Sequence, residues 1–317
     1  MQVTFVIPVY NAELYVREAV ESIVHEPEVV EILLIEDGSS DGSLTVCKDL
    51  AQEYGCVRVL THADGKNRGA GASRNLGIKC ARTTWISFLD ADDVSAPNRF
   101  VSTAEALARN PECEAIYEPV GLLGRHKWED RVPDGPGRQG LTTPEAQIEP
   151  QHLFDRMAPI GLGGGISTNG VTVKRTALAA VDMFDECLRV SQDTHMWLRL
   201  AARERFVGAP SRRIVALRRI HSGNRGRIRA NHRRYRSTMF GKLAFGSQGY
   251  FLTEKRKAFV LALCLIHSVL TLRHRRLNPE TRIWRTIGTK RRLQAVARIL
   301  RNLPYITQTL LARKFDL

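Results

Sequence analysis

Short apolar runs alternate with helix-like stretches along the first ninety residues. Val3–Ile7 is apolar and stops at Pro8, and a helical stretch follows with Leu14, Val16, Ala19, Val20, Ile23 and Val24 on its greasier side. Val29–Ile35 is apolar again and breaks into Glu36-Asp37-Gly38-Ser39-Ser40-Asp41-Gly42. Ser43–Tyr54 reads as helix, Val57–Leu60 as a third strand, Arg68–Ala81 as helix behind a glycine-containing loop, and Trp85–Leu89 as a fourth strand. Continuous apolar strands fit a sheet covered on both faces. Strands alternating with helices imply βαβ units, right-handed crossovers and an α/β fold with a parallel sheet.

Such sheets bind ligands beyond the carboxyl ends of their strands. Four chain breaks collect at that edge: Pro8-Val9-Tyr10-Asn11, Glu36-Asp37-Gly38-Ser39, Asn67-Arg68-Gly69 and Asp90-Ala91-Asp92-Asp93. One mouth thus receives an aromatic ring, carboxylates, glycine turns and an arginine, which suits a nucleotide diphosphate. The acidic group after Leu89 offers hard oxygen ligands, the type that holds Mg²⁺ or Mn²⁺ against phosphates.

Further along, Gly121–Gly140 reads as a loop and Gly161–Gly165 as a flexible point. The latter lacks the Lys-Ser/Thr ending of a P-loop. Six cysteines show no CxxC pair or metal-ligand spacing, so scattered thiols are expected. No basic segment followed by a long apolar run precedes the first strand, which argues against a secretory signal and for the cytosol.

The net charge of +14 is segregated. Residues 1–200 hold 19 Lys+Arg against 29 Asp+Glu, whereas residues 201–317 hold 28 against 4. That asymmetry points to a polyanionic partner for the basic part. Ala258–Leu272 is an apolar stretch between Lys255-Arg256-Lys257 and Arg273, Arg275 and Arg276. At 1.5 Å per residue it reaches about 22 Å, short of the roughly 30 Å hydrocarbon core. Basic flanks suit a helix lying at an anionic membrane surface, at the inner face of the membrane. A helical cap with solvated arginines is the other reading, and nucleic acid is disfavoured because no reading motif accompanies the charge.

In order along the chain, Phe5-Val6-Ile7-Pro8-Val9-Tyr10-Asn11, Ile35-Glu36-Asp37-Gly38-Ser39-Ser40-Asp41-Gly42, Asn67–Gly77, Phe88-Leu89-Asp90-Ala91-Asp92-Asp93, Phe184-Asp185-Glu186 with Asp193–Ala201, and Arg219–Asn224 resemble the motifs of family 2 glycosyltransferases. The resemblance spans roughly residues 3–225. It implies a GT-A fold, with a Rossmann-like, mostly parallel sheet flanked by helices, and an inverting, metal-dependent transfer from a nucleotide-diphosphate sugar, a UDP-sugar, to a carbohydrate or lipid-linked acceptor hydroxyl in polysaccharide or glycolipid synthesis. The expected organisation is a catalytic domain over 1–225, with a nucleotide half at 1–110 and an acceptor half at 111–225, and a basic helical region over 226–317.

By the same resemblance, Asp193 is the general base, and Asp92 the metal ligand with His221 beside it. Asp90 meets ribose or metal-bound water, and Asp93 meets the donor sugar or caps a following helix. Tyr10 flanks the base, Pro8 and Val9 line its edge with backbone groups, Asp37 takes a bond from uracil, Asn67 belongs to the glycine-rich entry and Arg74 pairs with diphosphate. Gln192 stands where the family commonly has Glu, and Glu36 where it has Asp. The alternatives are a nucleotidyltransferase, for which no basic triphosphate loop follows the first strand, and a catalytically inactive protein that binds membrane or nucleic acid.

Overall fold

The computed structural model describes residues 1–123, 148–158, 165–211, 213–219, 229–245, 252–253, 256–257 and 259–264. The chain divides into two compact units, Met1–Asn224 and Arg225–Leu317. In the first, a seven-stranded sheet has the order β3-β2-β1-β4-β8-β6-β9. Its strands are β1 Val3–Val9, β2 Val29–Glu36, β3 Val57–Thr61, β4 Trp85–Phe88, β6 Ala115–Tyr117, β8 Val171–Lys174 and β9 Phe206–Gly208. The first four by sequence pair in parallel, and β8 runs antiparallel to both β4 and β6. A second sheet has three strands, with β10 (Ala216–Arg219) between β5 (Val94–Ser95) and β7 (Val120–Leu123). The fold is the mostly parallel α/β sheet expected from the strand and helix pattern.

Helices α1 Val16–Glu21, α2 Ser43–Glu53 and α3 Ala70–Cys80 connect the parallel strands. Helices α4 Val101–Arg109, α5 Pro150–Met157, α6 Arg175–Ala180 and α7 Gln192–Arg203 follow. The runs Val3–Val9 and Val29–Glu36 are almost wholly buried, as strands covered on both faces must be.

Three expectations are corrected. β1 continues through Pro8 to Val9. Val6 accepts from the N–H of Leu89 on the β4 side, so Pro8, two residues on, points its ring nitrogen to the same side, where pairing with β4 has already ended at Val6–Phe88. The missing N–H therefore costs no ladder bond. Leu14 is not on the buried side of α1: it is 83% exposed, in the turn before that helix. Gly121 to Leu123 form part of β7 rather than a loop, with Gly121 packed under Leu217 and Ile214. Residues 124–147, and Gly161, Gly163 and Gly164, lie outside the described residues.

Just after β6, Glu118 forms an ion pair with Arg99, the side chains 0% and 1% exposed. Thr103 Oγ1 donates to the same Glu118 oxygen at 3.0 Å. Removing one partner of such a pair strands a charge in the core.

The second unit contains α8, Arg229–Phe245, with Met239, Phe240 and Leu243 buried. Residues 259–264 are helical, and Cys264 donates its thiol to the Ser237 carbonyl at 3.4 Å. No helix among the described residues is long and apolar enough to cross a membrane. All six cysteines are free. Most of the apolar stretch 258–272 lies outside the described residues.

The seating of α3 depends on a glycine. A Cβ at Gly77 would stand 2.3 Å from Val6 Cγ1, in the middle of β1. Gly77→Ala is expected to lower stability by about 1–3 kcal/mol through overpacking. Val6→Ala in the same chain should return part of that loss, so a double-mutant cycle by urea unfolding reads the contact directly.

Candidate active site

Asp90, Ala91, Asp92 and Asp93 leave the end of β4 and lead into β5. Asp90, Asp92 and Asp93 each present an oxygen within 4.8 Å of the others. The loop is fastened from several directions. Asp90 Oδ1 takes Arg74 Nη2 at 2.5 Å, and its N–H donates to Asn169 Oδ1 at 3.0 Å. Asp93 Oδ1 accepts from the Arg219 N–H at 2.7 Å and Oδ2 from Asn169 Nδ2 at 2.6 Å. Arg219 also donates through Nε to the Asp92 carbonyl at 3.0 Å and through Nη2 to Glu18 at 2.6 Å, with its guanidinium over Tyr15.

Asp93 is only 2% exposed. Burial first, and then the charges of Asp90 and Asp92, push its carboxyl up to about 8, against the hydrogen bonds from Arg219 and Asn169. The expectation that it caps a following helix is overturned: β5 comes next, and the nearest helix starts at Val101.

After β2, the carboxylate of Asp37 is buried and accepts from the N–H of Arg68 at 2.6 Å and of Gly69 at 2.8 Å. It therefore shapes the entry to α3. Gly69 sits at φ 91°, a conformation that favours glycine. The Val9 carbonyl accepts from the Asp37 N–H at 2.8 Å while the Val9 side chain is buried. Tyr10 follows β1 with 40% of its surface exposed at the mouth. Pro8 is half-buried at the same strand end. Asn67 Oδ1 accepts from Arg189 Nη1 at 3.3 Å.

Asp193 stands in the first turn of α7, half-buried, and its Oδ1 accepts from the Thr194 N–H at 2.7 Å. Two sets of contacts bring this turn to the α3 side of the site. A Cβ on Gly71 would lie 3.0 Å from Gln192 Oε1, so the two helix starts meet where glycine leaves room. Asn75 bonds the backbone of Phe184 twice, accepting its N–H and donating to its carbonyl, each at 2.9 Å. Its amide also reaches Glu186 Oε1 at 2.9 Å. The Phe184 ring lies 5.5 Å from the Arg74 guanidinium and meets Trp197 of α7 edge-on at 5.7 Å, and Trp197 in turn contacts Phe88 of β4 at 6.1 Å.

The structure thus gathers Asp90, Asp92, Asp93 and Arg74 directly, and Pro8, Val9, Tyr10, Asp37 and Asn67 at the neighbouring strand ends. Asp193 joins through the α7–α3 contact. His221 lies outside the described residues. Sequence reasoning gave no role to Asn169, Asn75 or the Arg99–Glu118 pair. Asn75 lies within the glycine-rich motif, whereas Asn169 carries no local signal beyond turn chemistry.

The donor set fits a hard divalent cation: three carboxylates and no softer ligand in the cluster among the described residues, with burial and then mutual repulsion raising one of their pKa values. Asp90 accepts from Arg74, and Asp93 accepts from Arg219 and Asn169; Asp92, the ligand expected from the sequence, is half-buried beside them.

Residues 4–153 match the family model described as Glycosyl transferase family 2. Over that stretch, just under half of its length, the chain is similar to family 2 glycosyltransferases. Among curated relatives, the minor teichoic acid biosynthesis protein GgaB of Bacillus subtilis (strain 168) is 26% identical over 199 residues, 60% of this chain and 20% of that protein. The uncharacterized glycosyltransferase EpsJ of the same organism is 34% identical over 109 residues, 34% of this chain and 31% of that one. The chain therefore spans less than a third of either relative. The GT-A fold is shared with S. aureus TarS 1-349 in complex with UDP, at TM-score 0.60 and 17% identity, covering 98% of this chain and 88% of that one. The mannosyltransferase PcManGT of Pyrobaculum calidifontis, in complex with GDP-Man and Mn²⁺, aligns at TM-score 0.52 and 16% identity, covering 98% and 83%.

The Asp93 carboxyl carries a sign that can be checked. Its native pKa of about 8 exceeds the ordinary 3.8, so between those values the folded protein holds a proton that the unfolded chain has lost. Stability of the cation-free protein should fall as pH rises across that window. Asp93→Asn should flatten the slope, read from urea midpoints between pH 5 and 8 (about the range where folded protein stays tractable).

Proposed function

We propose that the protein is an inverting glycosyltransferase that moves a sugar from a nucleotide-diphosphate donor, a UDP-sugar, to an acceptor hydroxyl of a surface polysaccharide or glycolipid, with Mg²⁺ or Mn²⁺. The observation that carries this reading is the acidic loop 90–93, fastened at the strand edge beside Arg74 and joined through Phe184 and Trp197 to the helix that bears Asp193. Support for the donor class comes from TarS with UDP and PcManGT with GDP-Man. Support for a polymer acceptor comes from GgaB, whose name places it in minor teichoic acid biosynthesis.

In this reading the base lies beside Tyr10, along the backbone of Pro8 and Val9 and the loop that Asp37 shapes. The ribose and diphosphate extend past Asn67 and Arg74 towards Asp90. Arg74 is held by Asp90 in the structure, so an arriving diphosphate exchanges one anion for another at the same guanidinium. Asp92, with His221 beside it, would hold the cation, which would supply positive charge against that growing on the leaving diphosphate. Asp93 keeps the loop in place from below.

Asp193 accepts the proton of the acceptor hydroxyl as its oxygen bonds to the anomeric carbon. The bond from that carbon to the diphosphate oxygen breaks on the opposite face, which inverts the configuration. The Thr194 N–H on Oδ1 fixes the carboxylate's rotamer and leaves Oδ2 for the proton. We assign the basic region 226–317 to contact with an anionic membrane surface, on its charge balance, which places the enzyme at the cytoplasmic face.

Asp193→Asn should lower transfer by about 10²–10⁴-fold, the span of general-base catalysis, with UDP affinity by calorimetry unchanged. Retained turnover would remove Asp193 as the base. Asp92→Ala should abolish the Mn²⁺-dependent part of UDP binding and donor hydrolysis. Full Mn²⁺ dependence in that variant would refute the metal assignment. A thermal-shift series with UDP-, GDP- and dTDP-sugars identifies the donor.

A further inference from the structure

We propose that Asn169 is the positioning residue of the acidic loop, setting the separation of Asp90 and Asp93 by binding both ends of it with one neutral amide. The inference rests on the reading of residues 90–93 as the site of the donor diphosphate. The amide oxygen accepts the Asp90 N–H at 3.0 Å, and the amide nitrogen donates to Asp93 Oδ2 at 2.6 Å. A backbone N–H can only donate, so the Asp90 partner alone dictates which way the amide faces and leaves its nitrogen to Asp93. A longer or shorter side chain would let the three-residue span open or close.

Neutrality matters as much as reach. Three carboxylate oxygens already lie within 4.8 Å, and a fourth acid at this position would add repulsion, whereas a cation would compete with the metal. An amide supplies one donor and one acceptor with no net charge.

Asn169 is itself clamped. It is 2% exposed in the turn Thr168–Gly170 that opens β8. Its carbonyl accepts Arg99 Nη2 at 3.4 Å, and Arg99 is locked by Glu118 in the buried pair. The next residue leaves no freedom: Gly170 accepts the Glu118 N–H at 2.8 Å, and a Cβ there would stand 2.4 Å from the Glu118 carbonyl oxygen. The chain thus runs from a core ion pair, through one amide, to both ends of the acidic loop. Outer groups that orient ligands in this manner change metal affinity or activity by about 10–100-fold when removed.

The test compares Asn169→Leu and the smaller Asn169→Ala with Ser87→Ala. Ser87 Oγ shares a buried hydrogen bond with Thr172 Oγ1 at 2.9 Å between the same two strands, β4 and β8, away from the loop. All three should melt earlier than the parent. UDP affinity with Mn²⁺, by calorimetry, should weaken about 10–100-fold in the Asn169 variants and stay at the parent value in Ser87→Ala. A parent-like affinity in a folded Asn169 variant overturns the proposal. Hydrogen exchange of the peptide covering residues 89–94, measured without ligand, is a second and independent readout. That peptide should lose protection in Asn169→Ala and keep it in Ser87→Ala, and unchanged protection in Asn169→Ala overturns the proposal. Should the parent bind neither UDP nor GDP with Mn²⁺, the functional reading fails alone, and the exchange data still decide the role of Asn169.

Discussion

Three carboxylates crowded at one strand end repel each other, and much of the surrounding architecture answers that repulsion. Coulomb energy between like charges a few ångströms apart rises steeply as water is excluded. The chain meets it in separate ways. Arg74 neutralises Asp90, a backbone N–H from Arg219 and the Asn169 amide hold Asp93, and Asp93's raised pKa lets it keep a proton. Asp92 stays half-buried at the mouth, where a metal can reach its carboxylate. Crowding of this kind is what binding of a divalent cation at the strand end would relieve.

The small sheet explains how elements remote in sequence serve that loop. β5 follows Asp93 directly, and β10 pairs with it antiparallel. That pairing carries Arg219 back to residues 92 and 93 from more than a hundred residues away. On the other flank, Phe88, Phe184 and Trp197 form an edge-to-face cluster under the end of β4. Edge-to-face aromatic pairs add about 0.5–1.5 kcal/mol beyond the area they bury. The two halves of the site, acidic loop and α7, therefore share one apolar foundation.

The four parallel strands, the helices between them and the carboxyl-edge mouth were legible from hydrophobic pattern alone, because buried strands are apolar runs and turn residues punctuate them. Pro8 hid the true end of β1, since sequence cannot reveal that the neighbouring strand has already ended. Asp90, Asp92 and Arg74 were legible because their chemistry is local to motifs. Asn169 was not. Its partners are 79 and 76 residues away, and an asparagine in Ser-Thr-Asn-Gly reads as an ordinary turn. Asp193 was named from family order, while the glycine-for-side-chain exchange between Gly71 and Gln192 that seats it exists only in three dimensions.

Asp182 and Met183 adopt left-handed φ values of 60° and 52° just before Phe184. Non-glycine residues hold such angles at a cost of order 1–3 kcal/mol each when the surroundings impose them. Arg199, buried within α7, donates to the carbonyls of both Val181 and Met183 and so pins that bend to its own helix. Bend and helix form a closed bracket, and Phe184 leaves it at the point where the Asn75 amide takes up its backbone. One arginine therefore fixes the register between α7 and the aromatic cluster from inside the helix itself, so a change at Arg199 would shift Phe184 and Trp197 together.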